Sequence, residues 1–491
     1  MPVFSLPSEY GIGDFGFNAY RFVDFLQKSG QTVWQILPLV QTGYGDSPYS
    51  SVCSYSFNPY FISPEILYKK GLLTKSELEF SKRKNKYINY EEIHSVRYPL
   101  LEKAFLRFDV DNKEFKSFLK SKEMYDYALF MTLKYATGNK HFYHWQKEFL
   151  LRDEKALKKF YKEYEQKILF WQFVQFEAKN QWIALKQYAN ERNIKIMGDM
   201  PLYVALDSVD VWKNPNLFKL DENFNPKKVA GVPPDYFCAD GQLWGNPVYD
   251  YEEHQKTNFS WWVNRIKTAL SYFDYVRIDH FRGLDRYYEV ESSATDAKVG
   301  DWIKVPSEEL FLAIESEVGN DRIIAEDLGI IDDGVRELLK KTGYPGMKIL
   351  SFAFNGDSSN LYLPEKLDYN CICYTGTHDN DTLLGLIKNV PEWDYNNLVN
   401  GVNNSLNLMQ IDKDIIEQTQ VAEAIIELGL KSQSKMFIMP MQDLLLLGSD
   451  YRINEPGTVS NLNWSIMFDE CVFSEKNSNK LFELTKKYNR I

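Results

Sequence analysis

Cysteine is scarce in this chain of 491 residues: Cys53, Cys238, Cys371, Cys373 and Cys471 are all there is, an odd and scattered set. Without a Cys-x-x-Cys pair, neither a zinc site nor a disulfide framework is indicated. Cys371-Ile372-Cys373 lies in an apolar, strand-like run, where a thiol acts as a small hydrophobe. Long apolar runs are missing too, and none approaches the length of a membrane span. The start, Met1 to Pro7, lacks the basic n-region and apolar h-region of an export signal, so a cytoplasmic location is expected. Positive charge is not in excess: a formal net charge of −11 argues against nucleic acid or an anionic membrane surface as partner. No short repeat, low-complexity tract or Ser/Gly linker divides the chain.

What is there describes a globular protein with ample core, 44% hydrophobic and 25% charged. Its length suits one large barrel with insertions. Aromatic residues reach 15%, with 32 Tyr, 32 Phe and 11 Trp. Most must be core, yet Trp and Tyr in excess are also what sugar-binding grooves use, because flat rings match the C–H faces of pyranoses.

Eight stretches read as strands, at 3–6, 32–37, 194–199, 275–280, 322–327, 347–352, 371–378 and 437–443. Helical periodicity lies between most of them, at 168–190, 307–318, 332–341 and 415–430. Strand–helix alternation repeated eight times predicts a (β/α)₈ TIM barrel, an α/β fold with helical and loop insertions at the C-terminal face of its strands. The whole chain, 1–491, is expected to be one catalytic domain. Residues 62–165, Lys/Glu-rich with helical spacing as in 150–157, form a mainly helical insertion between the second and third strands. A smaller insertion, 204–272, separates the third and fourth and carries a loop at 231–246.

Several of these strands end in charge. Tyr275-Val276-Arg277-Ile278-Asp279-His280-Phe281-Arg282 puts Arg277 and Asp279 on one face, since side chains alternate along a strand. An Arg so placed holds the carboxylate ionised and fixes its rotamer. Asp199 closes the third strand, Glu326 the fifth, and His378-Asp379 the seventh. In this fold, C-terminal strand ends meet at one mouth, where active sites are found. One carboxylate as nucleophile and one protonated carboxyl as general acid are what retaining glycoside cleavage needs, and neighbouring carboxylates raise the pKa of the one that stays protonated. A metal site built from His378, Asp379, Asp381 and Glu326 is the rival reading by residue type. It lacks a compact ligand set such as His-Glu-x-x-His, and neither metal nor cofactor is expected.

Motifs along nearly the whole length then carry a resemblance. They are Ser-Leu-Pro-Ser-x-x-Gly-Ile-Gly-Asp-Phe-Gly (5–16), Gly-Tyr-Gly-Asp-Ser-Pro-Tyr (43–49) and Gly-Asp-Met-Pro-Leu-Tyr-Val-Ala (198–205). Val-Ala-Gly-Val-Pro-Pro-Asp-Tyr-Phe (229–237), Gly-Gln-Leu-Trp-Gly-Asn-Pro (241–247) and Val-Arg-Ile-Asp-His-Phe-Arg-Gly (276–283) follow. Ala-Glu-Asp-Leu-Gly (325–329), Pro-Gly-Met-Lys (345–348) and Gly-Thr-His-Asp-Asn-Asp-Thr (376–382) complete the set. In this order the chain resembles the 4-α-glucanotransferases of the amylomaltase (disproportionating enzyme) family, a branch of the α-amylase-like clan. The resemblance implies Asp279 as nucleophile, Glu326 as general acid/base and Asp379 as a third carboxylate gripping sugar hydroxyls. Arg277, His280, His378 and Asp199 would hold the donor ring, with Tyr49 stacked on it. The loop with Tyr236, Phe237 and Trp244 would lie over the glucan.

Retaining transfer further implies Asp279 and Glu326 carboxyls about 5–5.5 Å apart. The implied partners are a maltooligosaccharide or α-1,4-glucan donor and a glucose or glucan acceptor, for a monomer or small homo-oligomer. An α-1,4-glucan hydrolase of the same clan and a non-catalytic glucan-binding protein are the alternatives, and the second would lack one of the three carboxylates. Two departures stand out. Only four residues precede Ser5 where the family carries a longer apolar strand. Arg452-x-Asn-x-Pro-Gly-Thr is kept, but the family's Asn-Trp-x-Trp-Arg becomes Asn463-Trp464-Ser465-Ile466-Met467.

Overall fold

The computed structural model describes residues 1–120, 122–234, 239–329 and 331–491. Among the described residues, seven parallel strands form the barrel wall. The first sheet has the order β1 (Val33–Gln35), β2 (Lys195–Met200), β5 (Tyr275–Ile278) and β8 (Ile323–Ala325). The second runs β9 (Gly346–Ile349), β10 (Cys371–Tyr374) and β11 (Met436–Ile438). A hydrogen bond from Ala325 N–H to the Pro345 carbonyl joins the two at β8 and β9. Because all seven run the same way, their C-terminal ends open on one mouth. Met197, Ile324, Met347, Ile349, Ile372 and Tyr374 pack the interior, so the barrel is filled rather than hollow.

The strand expected at 3–6 is not one. Between Pro2 and Pro7 the chain turns, with Ser5 N–H on the Pro2 carbonyl and Leu6 N–H on that of Val3. The groups left over bond to Gly13 and Phe468 instead of to a neighbouring strand. Met1 and Pro2 line the cavities between β1 and β11, which are not hydrogen-bonded to each other. The strands expected to run through 347–352 and 437–443 stop at Ile349 and Ile438. The first passes into a 3₁₀ turn, Leu350–Phe352, and the second meets Pro440, which has no N–H to offer a ladder.

Helices fill the interval between β1 and β2. The longest, Glu165–Glu191, buries Phe170, Trp171, Phe173, Phe176 and Trp182. It also buries polar side chains that act as clamps: Gln175 donates to the Phe57 carbonyl and accepts from its N–H, and Gln181 accepts from Ser63 N–H. The helix thereby fixes the segment following the 43–49 motif. Helical spacing at 150–157 spans two helices rather than one. The chain breaks at Arg152 (φ +55°), and Asp153 caps the second helix through Lys155 and Ala156 N–H. The helix expected at 307–318 is Ser307–Val318, and those expected at 332–341 and 415–430 are Asp333–Thr342 and Gln418–Lys431.

A third sheet, antiparallel, stands beside the mouth in the order β4 (Gln242–Pro247), β3 (Lys228–Val232), β6 (Arg286–Glu291) and β7 (Asp301–Lys304). It positions Trp244. Within the barrel, Gly198 is required by packing: a Cβ there would lie 2.2 Å from the ring of Phe273. Gly198→Ala is expected to cost about 1–3 kcal/mol by overpacking. A lowered denaturation midpoint would show it, and an unchanged midpoint would mean that Phe273 can yield.

Candidate active site

Arg277, near the end of β5, lies in the barrel mouth with its side chain 2% exposed beside a fully buried Asp199. Its Nε donates to Asp199 Oδ1 at 2.8 Å and its Nη2 to Oδ2 at 2.6 Å, a bidentate pair between β5 and β2. The same Nη2 reaches Asp279 Oδ1 at 3.2 Å, as expected for two residues on one strand face. Tyr49 Oη donates to Asp199 Oδ2 at 2.5 Å and accepts from Arg277 Nη2 at 3.1 Å. Burial drives the Tyr49 phenol well above its ordinary pKa, with Asp199 adding to the effect, so it stays a neutral donor.

The next two groups are set by backbone. Asp279 N–H bonds to the Met200 carbonyl and Glu326 N–H to that of Ile278, so the three strand ends are stitched in sequence. His280 then takes a left-handed conformation (φ +47°), which is uncommon for a non-glycine residue. That turn aims its N–H at Glu326 Oε2, 2.6 Å away, while Leu328 N–H donates to Oε1 at 3.0 Å. Phe281 N–H in turn holds the Glu326 carbonyl.

Electrostatics separate the two carboxyls. Burial, opposed by Arg277 and reinforced by Asp199 and Asp379, pushes Asp279 up to about 7. Arg277 therefore moderates the nucleophile candidate without overcoming its desolvation. Glu326 is raised well above the carboxylate range, first by burial and then by the negative charge of Asp279. The two backbone N–H bonds and Arg277 pull it the other way. Burial also lowers both imidazoles, His280 to about 4, so at neutral pH they are uncharged hydrogen-bonding groups.

At the end of β10, His378 stacks on Tyr49 with ring centroids 5.2 Å apart and planes 15° from parallel. Its Nε2 lies 3.4 Å from Asp379 Oδ1. Across the mouth, Trp244 meets His280 edge to face at 4.8 Å. Tyr236 and Phe237, placed in the covering loop by the sequence, lie outside the described residues. The metal reading does not assemble: the Asp381 carboxylate accepts from Ser449 Oγ, Asn389 Nδ2 and Thr382 N–H. Among the described residues no group of three or more His, Cys, Asp or Glu is arranged to hold a metal.

Sequence reasoning missed other members. Asp443 is buried behind β10, accepts from Thr375 Oγ1 and Leu383 N–H, and is pushed up to about 6 by burial. Its signal was available, since it ends the 437–443 pattern as the other carboxylates end theirs. Arg452, Asn454 and Trp464 also reach the site. Asn454 Nδ2 donates to Asp379 Oδ1, and Trp464 packs on the rings of Tyr49 and His378. Their signal was the Arg452-x-Asn-x-Pro-Gly-Thr and Asn463-Trp464 motifs, which the sequence offered without a place in the site.

A TIM-like barrel with Asp279 and Glu326 at its mouth, neutral imidazoles around them and an aromatic wall is the arrangement expected of an enzyme that cleaves glycosidic bonds. A sequence profile of the family described as 4-alpha-glucanotransferase matches residues 1–471. The 4-alpha-glucanotransferase of Clostridium butyricum is 44% identical over 497 aligned positions, covering 100% of both chains. The chloroplastic/amyloplastic 4-alpha-glucanotransferase of Solanum tuberosum is 37% identical, covering 99% of this chain and 85% of its own. Among solved structures, amylomaltase from Streptococcus agalactiae in complex with acarbose superposes with a TM-score of 0.93 at 37% identity, covering 100% of this chain and 98% of that one. The chain belongs to the 4-alpha-glucanotransferase family, whose activity is glycosyl transfer on α-1,4-glucans.

Proposed function

We propose that Asp279 is the nucleophile, Glu326 the general acid/base and Asp379 the carboxylate that grips the donor sugar, in a transfer that retains anomeric configuration. The observation that carries the assignment is the placement of Arg277. Its guanidinium donates to Asp279, and among the described residues no hydrogen bond joins it to Glu326, which favours Glu326 as the holder of the pair's proton. Protonated Glu326 gives its proton to the departing glycosidic oxygen as Asp279 attacks the anomeric carbon. The resulting glycosyl ester carries no charge on Asp279, and the second-largest cause of the raised Glu326 pKa disappears. Glu326, left ionised by that proton transfer and held by His280 and Leu328 N–H, can accept the proton of an incoming sugar 4-hydroxyl.

Tyr49, Asp199, Arg277, His280 and His378 would surround the donor ring, and Trp244 with Tyr236 would face the chain. For transfer to win over hydrolysis, an acceptor sugar must be positioned and water held out. The Trp244 ring beside His280 offers such an apolar platform. A cytoplasmic location and a monomeric or small homo-oligomeric state belong to the same proposal. Incubation with maltotriose should yield free glucose and a ladder of longer maltooligosaccharides with total reducing ends nearly constant. Reducing ends rising one for one with bonds broken would make water the acceptor.

A further inference from the structure

The segment after β11 returns to the mouth and binds it at three points. Arg452 Nη2 donates to the Asp379 carbonyl at 2.8 Å, Asn454 N–H to that of His378 at 3.1 Å, and Asn454 Nδ2 to Asp379 Oδ1 at 2.6 Å. Arg452 Nε closes the loop by donating to the Asn454 carbonyl at 2.8 Å. The strap is anchored in turn: Trp464 N–H bonds to the Ile453 carbonyl, and the Trp464 carbonyl accepts from Tyr90 Oη of the helical insertion.

We propose that Asn454 is a positioning residue for the transfer step, holding Asp379 by Oδ1 so that Oδ2 is presented to the sugar. The inference rests on the reading of Asp379 as a sugar-gripping carboxylate. The Asp379 side chain is 45% exposed, so packing alone does not select its rotamer. Among the described residues, Oδ2 carries no hydrogen bond, while Oδ1 receives Asn454 and lies near His378 Nε2. A neutral amide suits the task. It restrains the carboxylate but leaves its charge, which an ammonium in the same place would offset. The charged and titratable groups facing Asp379 are His378, Asp279 across the cleft, and Arg452, itself 4.0 Å from Glu455.

Displacing a gripping group by about 1 Å can cost on the order of 10²-fold in rate. Asn454→Ala should therefore lower kcat for maltotriose disproportionation by about 10- to 100-fold, with KM changed by less than about threefold, because the grip strengthens only in the transition state. Asn454→Asp supplies the discriminating measurement. Two carboxylates at that separation repel when ionised, but a shared proton restores the bond. The N454D to N454A activity ratio should thus rise steadily as pH falls from 7 to about 5. If the alanine variant does not fold, N454S takes its place in the ratio. An N454A kcat within twofold of the parent, or an N454D profile parallel to that of the neutral variant, would overturn the positioning role. Asp379→Asn separates the two layers. If D379N keeps full activity the reading of Asp379 falls, whereas an inactive D379N beside unimpaired Asn454 variants removes only the present inference.

Discussion

Asp279→Asn is expected to lower kcat for maltotriose disproportionation by about 10⁴-fold or more, since the amide cannot form the glycosyl ester and the remaining groups act on nothing. The same variant should be at least as stable as the parent at neutral pH. The sign follows from the raised pKa: Asp279 moves from 3.8 to about 7 on folding, so the folded state binds the proton more tightly. Below about pH 4 the carboxyl is protonated in both states and costs nothing. Between there and about 7 the unfolded chain ionises first, and folding loses stability that it does not regain above 7. Asparagine carries no such penalty. The melting-temperature advantage of D279N should therefore open as pH climbs through that window. A variant that melts several degrees below the parent at pH 7 would contradict the account, as would one that still breaks bonds. Asp279→Gly supplied with azide should form a glycosyl azide of inverted configuration, the outcome specific to a lost nucleophile.

Arg277→Met should give the largest loss of stability, about 3–5 kcal/mol. Methionine leaves Asp199 with its side chain wholly buried and, among the described residues, no cation paired with it. Removing one partner of such a pair is costly because the other charge stays desolvated, even where the intact pair contributes little net stability. Tyr49 Oη would remain as a donor to Asp199, but one neutral donor does not replace a bidentate guanidinium. Activity should also fall, since Arg277 holds Asp279, Asp199 and Tyr49 together. The double variant R277M/D199N should recover part of the stability and none of the activity. Equal stability of R277M and the double variant in chemical denaturation would show that Asp199 finds other compensation.

Much of the candidate site was legible because its charged residues stand at strand ends. Asp199, Asp279, Glu326 and His378-Asp379 follow short apolar runs, and parallel strands bring such ends together. The pairing within the site was less legible. Sequence spacing pairs Arg277 with Asp279 two residues away, and it does touch it. Its principal partner is Asp199, some eighty residues earlier, because β2 and β5 are neighbours with Asp199 opposite Arg277 in register. The segment at 3–6 has strand composition yet turns, since its two flanking prolines and its bonds to Gly13 and Phe468 decide the backbone.

The amino-acid order by itself determined which residues are candidates for the chemistry, that the barrel strands alternate with helices, and that the chain resembles glucanotransferases throughout. Those are local properties: strand periodicity, turn chemistry and motif spacing need no knowledge of what lies opposite. Only the tertiary structure bears on which carboxyl would hold the proton under the proposed roles. That depends on burial, on Arg277 facing Asp279, and on a left-handed His280 directing its N–H at Glu326. It also brought Asn454 onto Asp379 from 75 positions away. Electrostatic and positioning effects act through space over a few ångströms, and no interval along the chain encodes that distance.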